Sequence, residues 1–83
     1  MKQIEWTTKA LRQLRKIKSR QEQDELYNSV AALENFPHCD NVKKIKTTQI
    51  YRLRVGNWRV IFTESLEIVT IEEVKKRNER TYK

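Results

Sequence analysis

The sequence predicts an α+β domain: an N-terminal strand and a helical hairpin packed on one face of a small, mainly antiparallel sheet. Three observations carry this reading. Apolar residues recur at helical spacing through the N-terminal half. From Tyr51 onward the apolar period changes to two, the period of a half-buried strand. The dipeptide Gly56-Asn57, a two-residue turn signal, divides that alternating stretch. With 83 residues the chain suffices for one domain, residues 1–83, and not for two. A core of that size calls for two layers.

The elements follow in order. Ile4 and Trp6 alternate with polar neighbours and predict a short first strand. Thr7 and Thr8 then offer N-cap hydroxyls. Ala10, Leu11, Leu14 and Ile17 follow on one helical face, with Arg12, Arg15, Lys16 and Lys18 elsewhere on the wheel. Ser19-Arg20-Gln21-Glu22 has the form of a capping box and starts a second helix. Leu26, Val30 and Leu33 form its apolar stripe, with Tyr27 and Ala31 beside it. Pro37 stops it, because proline disfavours helical geometry at the residue before it. A loop is expected from Pro37 to about Lys46, carrying His38, Cys39 and Asp40. Two alternating strands flank Gly56-Asn57, and a β-branched third run is expected from Leu66 to Val74, with Glu64-Ser65 as its turn. The tail from Lys75 to Lys83 is strongly polar.

The register of the hairpin can be read from its turn. A two-residue loop at Gly56-Asn57 sets Val55 opposite Trp58, Leu53 opposite Val60 and Tyr51 opposite Phe62. These six residues share one face, an apolar surface for the helices to cover. The same register sets Arg54 across from Arg59 on the other face, with Arg52 two residues along and opposite Ile61. Like charges directly opposite on a sheet destabilise it by about 0.2–1 kcal/mol. Folding alone does not ask for three arginines on one patch, and a bound polyanion supplies the missing countercharge.

The charge balance agrees. Lys and Arg number 18 against 11 Asp and Glu, a net charge of +7 that favours a polyanionic partner. Cys39 is the only cysteine, so there is no intramolecular disulfide. With His38 as the only histidine, a metal site of Cys and His is also excluded, and no cofactor is expected. No apolar run approaches the roughly 20 residues that span a bilayer. No apolar stretch follows Met1-Lys2, so neither a membrane nor a signal peptide is expected, and a reducing cytoplasmic setting fits.

The stretch Tyr51-Arg52-Leu53-Arg54-Val55-Gly56-Asn57-Trp58-Arg59-Val60-Ile61-Phe62 resembles the central hairpin of the RelE/ParE toxin superfamily. Val74 to Tyr82 is similar to that superfamily's C-terminal segment, and the leading strand and helical hairpin fit its order of elements. The resemblance implies a RelE-like fold and a type II toxin–antitoxin toxin. Of its branches, the RelE-like one implies a metal-independent endoribonuclease, an mRNA interferase. Such toxins enter the ribosomal A site, contact the ribosome, cleave mRNA there to a 2′,3′-cyclic phosphate, and so inhibit translation. It also implies a cognate antitoxin protein as partner. The ParE branch shares the hairpin and implies the alternative, a DNA gyrase inhibitor without catalysis.

Carried onto this sequence, the family's catalytic positions fall on Arg54, Arg59, Arg77 and Tyr82, with Arg52 beside them. Lys46, Lys75, Lys76 and Arg80 are further RNA-binding candidates. The chain departs from the family at several points. Relatives such as RelE itself have lysines at the positions of Arg52 and Arg54, and many have Gly-His where Lys75-Lys76 stands, so histidine chemistry there is excluded. Arg80 is a rival to Arg77 for the arginine role.

The chemistry fits these residue types. Cleaving RNA by its own 2′-hydroxyl requires a base, cations for the phosphorane-like charge, and help for the departing 5′-oxygen. Arginine's planar fork makes bidentate bonds to phosphate. Arg59 and Arg77 are assigned to the transition-state phosphate, and Arg52 and Arg54 to the substrate backbone. Tyr82 is the candidate base or base-stacking ring, since nearby arginines favour its phenolate. Glu79 is a rival base, and either Glu72 or Glu73 is expected to face the site. His38 is read as a surface loop residue, and Trp6, Tyr51 and Trp58 as core. Lys9, Arg12, Arg15, Lys16, Lys18 and Arg20 form a basic helical rim, read either as a solvated face or as a contact to ribosomal RNA.

Overall fold

The computed structural model describes residues 1–45 and 49–76. Strand β1 (Gln3–Trp6) leads into helices α1 (Thr8–Arg15) and α2 (Arg20–Ala31), and a 3-10 turn follows over Ala32–Asn35. Strands β2 (Val42–Lys44), β3 (Ile50–Val55), β4 (Trp58–Ser65) and β5 (Ile68–Lys76) complete the described chain. The sheet has the order β1-β5-β4-β3-β2. β1 lies parallel to β5, and every other neighbouring pair is antiparallel.

Local chemistry explains the helix ends. The Thr7 hydroxyl caps α1 by accepting the Ala10 N–H at 3.0 Å. The Ser19 hydroxyl caps α2 by accepting the Glu22 N–H at 3.2 Å. The reciprocal half of the expected capping box is redirected: the Glu22 carboxylate accepts the indole N–H of Trp58 at 3.1 Å. That bond ties the start of α2 to the first residue of β4. Gln23 bridges the break between the helices, donating to the carbonyls of Ile17 at 2.7 Å and Arg15 at 3.3 Å. α2 gives way to the 3-10 turn before Pro37 is reached, and Phe36 is extended, with ψ 136, as the residue before a proline prefers.

The core lies between the helices and one face of the sheet. Ala10, Leu14, Ile17, Leu26, Val30 and Leu33 of the helical layer meet Leu53, Val60, Phe62, Val69, Ile71 and Val74 of the sheet. Phe62 is fully buried, and Phe36 meets it edge to face at 5.5 Å while Tyr51 stacks on it at 5.5 Å. Trp6 and Trp58 pack against this cluster half-buried, and Trp6 stacks on the exposed Tyr27 at 6.1 Å.

Two expectations are corrected. The segment from Pro37 to about Lys46 is not all loop, because Val42–Lys44 pairs with β3 as an edge strand. The last turn is not Glu64-Ser65 but Leu66-Glu67, since Ser65 pairs with Ile68. Leu66 takes the left-handed conformation there, φ 55, with its side chain in solvent. Gly56 serves the same position of the first hairpin, φ 56, as a positive first residue of a two-residue turn requires.

β5 also holds a bulge. Ile61 faces Glu73 and Phe62 faces Ile71, so Glu72 is the extra residue. The bulge shifts the alternation by one, and Val69, Ile71 and Val74 all reach the core. β1 ends opposite Ile71, leaving the far half of β5 as an edge. Gln13 of α1 covers that edge: its side-chain oxygen accepts the Val74 N–H at 2.7 Å.

Candidate nucleic-acid interface

The sheet face away from the helices carries the charge. The hairpin register is as the turn dictates: Val55 opposite Trp58, Leu53 opposite Val60, Tyr51 opposite Phe62, and Arg54 opposite Arg59. β5 extends the arginine pair, since Arg59 also faces Lys75. The next row runs Lys43, Arg52, Ile61, Glu73 across β2, β3, β4 and β5. Two neighbouring rows thus hold five cations and one carboxylate. Arg54, Lys43 and Lys75 are exposed, and Arg52 and Arg59 are half-buried. A shallow hollow of about 180 Å³ lies on this face, lined by Asn41, Val42, Lys43, Arg52 and Arg54.

Glu73 is the one acid in these rows. It accepts a short bond from Lys9 at 2.7 Å and lies 3.4 Å from Lys75. The Lys9 hydrogen bond, with help from both positive charges and against some burial, holds its carboxyl below the ordinary glutamate value. It is therefore a fixed anion and a weak base. Glu72 accepts the Thr63 hydroxyl at 3.1 Å. Of the two glutamates, Glu73 is the one beside the arginine rows.

Not every candidate joins the cluster. Lys76 pairs with Trp58 on the core-facing side, and its ammonium sits 5.3 Å above the indole ring. Alternation along β5 separates it from Lys75. His38 is exposed in the loop before β2, as expected of a surface residue. Burial, reinforced by Asp40, pushes the Cys39 thiol up, which makes it a poor nucleophile. Lys46, Arg77, Arg80 and Tyr82, together with Glu79, lie outside the described residues.

Lys43 is a member of the face that the sequence reading missed. Val42-Lys43-Lys44 holds one apolar residue in three, too little for a period to show. Its strand exists because the exposed edge of β3 pairs with it. Asn41 precedes it with φ 63, a conformation asparagine tolerates, and its carbonyl accepts the Arg54 N–H at 3.0 Å. That bond fixes the loop beside Arg54.

A helical hairpin on one face of a five-stranded sheet is a fold shared with solved toxin structures. The crystal structure of the archaeal RelE–RelB complex from Pyrococcus horikoshii matches with a TM-score of 0.81 at 20% identity, over 94% of this chain and 97% of that one. The isolated Escherichia coli RelE toxin matches with a TM-score of 0.79 at 17% identity, over 98% and 88%. The toxin–antitoxin complex RelBE2 of Mycobacterium tuberculosis matches with a TM-score of 0.78 at 20% identity, over 92% and 98%. At these identities the likeness is one of fold. No curated protein sequence matches the chain. The family model of the ParE toxin of the type II toxin–antitoxin system, parDE, matches residues 4–81. The chain belongs to this family, and through it to the RelE/ParE superfamily of type II toxins.

Proposed function

We propose that the open sheet face binds single-stranded RNA and that the chain is a ribosome-dependent, metal-independent mRNA endonuclease. The row Arg54–Arg59–Lys75 carries this reading. Three cations side by side on three paired strands suit a phosphate backbone. In the reaction the 2′-oxygen attacks the adjacent phosphorus and the bond to the 5′-oxygen breaks. A 2′,3′-cyclic phosphate and a 5′-hydroxyl result. The 2′-hydroxyl proton goes to a base, the role given to Tyr82, and the leaving 5′-oxygen takes a proton from water. Arg59, with Arg77 from the C-terminal segment, neutralises the charge that develops on the non-bridging phosphoryl oxygens, while Arg54 and Arg52 hold the flanking backbone. An antitoxin is the natural partner, as RelB is in the complexes of the structural neighbours. Its neutralising segment has to cover or distort the arginine face, and acidic side chains would complement it. The cytoplasm, where ribosomes are, is the proposed compartment.

The matching family model favours a second reading. It is that of ParE toxins, and a ParE-like gyrase inhibitor would use the same fold without catalysis. One experiment separates the two. The wild-type chain and Arg59→Ala are induced in a sensitive bacterium, and new mRNA 5′ ends are mapped genome-wide. Cuts inside translated codons that vanish in Arg59→Ala support the nuclease. Growth arrest with mRNA intact refutes it, and a supercoiling assay then tests gyrase.

A further inference from the structure

A second hollow adjoins the arginine face. It holds about 290 Å³, close to the lower bound of small-ligand sites, about 300 Å³. It lies where the 3-10 turn and the loop before β2 meet β3, and Asn41 and Arg54 line both hollows. A backbone held by Arg54 on the open face is therefore within reach of this cavity.

Its lining suits a flat, polar-edged guest. Leu33 and Leu53 are buried and give it an apolar floor. Asn35, Asp40 and Asn41 stand on its walls. Among the described residues their side chains make no hydrogen bond or ion pair, so their donors and acceptors are available to a ligand. A carboxylate is out of place beside a phosphate site, yet it is a natural acceptor for the amino group of a base.

We infer that this hollow is a nucleobase subsite that receives a base flanking the scissile phosphate and favours one bearing an amino group. The inference rests on the nuclease reading and adds specificity to it. Asp40 accepts from the amino group of adenine, cytosine or guanine, and the amides of Asn35 and Asn41 meet the rest of the base edge. Uracil is disfavoured, because its single N–H is flanked by two carbonyl oxygens that repel a carboxylate. Single-stranded RNA can present a base in this way because its bases are free to splay out.

The test compares wild type, Asp40→Ala and Asp40→Asn by genome-wide mapping of new mRNA 5′ ends. In wild type, one position next to the cut should prefer amino-bearing bases over uracil by about tenfold. Asp40→Ala should reduce that preference to under about threefold. Asp40→Asn adds a donor and should move the preference toward uracil, a change that misfolding cannot produce. Wild-type cuts without that preference, or the same base preference in all three chains, overturn the subsite and leave the nuclease standing. Wild-type induction that leaves mRNA intact overturns the nuclease and the subsite together.

Discussion

Replacing Arg54 with threonine should make the protein more stable and less able to bind RNA. Arg54 stands directly across from Arg59 in the β3–β4 ladder, with Lys75 next in the row. Like charges directly opposite cost about 0.2–1 kcal/mol. Arg54 is exposed, so water screens it, and the lower half of that range applies, about 0.5 kcal/mol. Threonine also suits an exposed strand. For a domain of this size, 1 kcal/mol moves Tm by about 4–8 °C, so the gain is about 2–4 °C. Thermal melts at low and high salt measure it. The gain should shrink as salt rises, because the repulsion it removes is screened over a Debye length of about 3 Å at 1 M. Binding of a short single-stranded RNA should weaken in the same variant. A lower Tm at low salt would refute the reasoning, as would a gain indifferent to salt.

Three further outcomes are expected. Gln13→Leu removes the acceptor of the Val74 N–H and bares the edge of β5, which should cost about 1–3 kcal/mol in urea unfolding. Glu73→Gln should alter the pH dependence of stability. The folded-state pKa of Glu73 is depressed, so its contribution is present above its ordinary value near 4.5 and is lost as pH falls through the lower folded value. Melts of wild type and variant should therefore differ by a constant amount above about pH 5.5 and converge below pH 4.5. Leu66→Asn places a residue that tolerates positive φ at the β4–β5 turn and should raise stability by about 0.5–1 kcal/mol, read by chemical denaturation.

The parts of the fold legible in the sequence are those set by local pattern. The hairpin register follows from a two-residue turn and a strict alternation, and both caps follow from a hydroxyl placed before an apolar stripe. The parts not legible depend on partners far away in sequence. β2 exists by pairing with β3, and Leu66 is forced into the turn by the register of β4 with β5. The bulge had left a trace: Val69, Ile71 and Val74 break the even spacing, the mark of one extra residue. That extra residue sets Lys75 beside Arg59 and turns the exposed Lys76 to the Trp58 side of the sheet. At the site, Arg52, Arg54 and Arg59 fall together as the strand alternation requires, Lys75 joins them through the bulge in β5, and Lys43 is added by tertiary pairing alone.

The alternation that gathers the arginines also guards the hairpin against mispairing. Were β3 and β4 to slide by one residue, every side chain on the moved strand would change faces. Arg52 and Arg54, or Arg59, would then be driven against Leu33, Phe36 and Val30, where an unpaired charge costs several kcal/mol. A chain with threonines at these positions would meet no such barrier. The residues proposed to hold the substrate thus proofread strand assembly, and variants that silence the toxin by neutralising them should also fold with less fidelity.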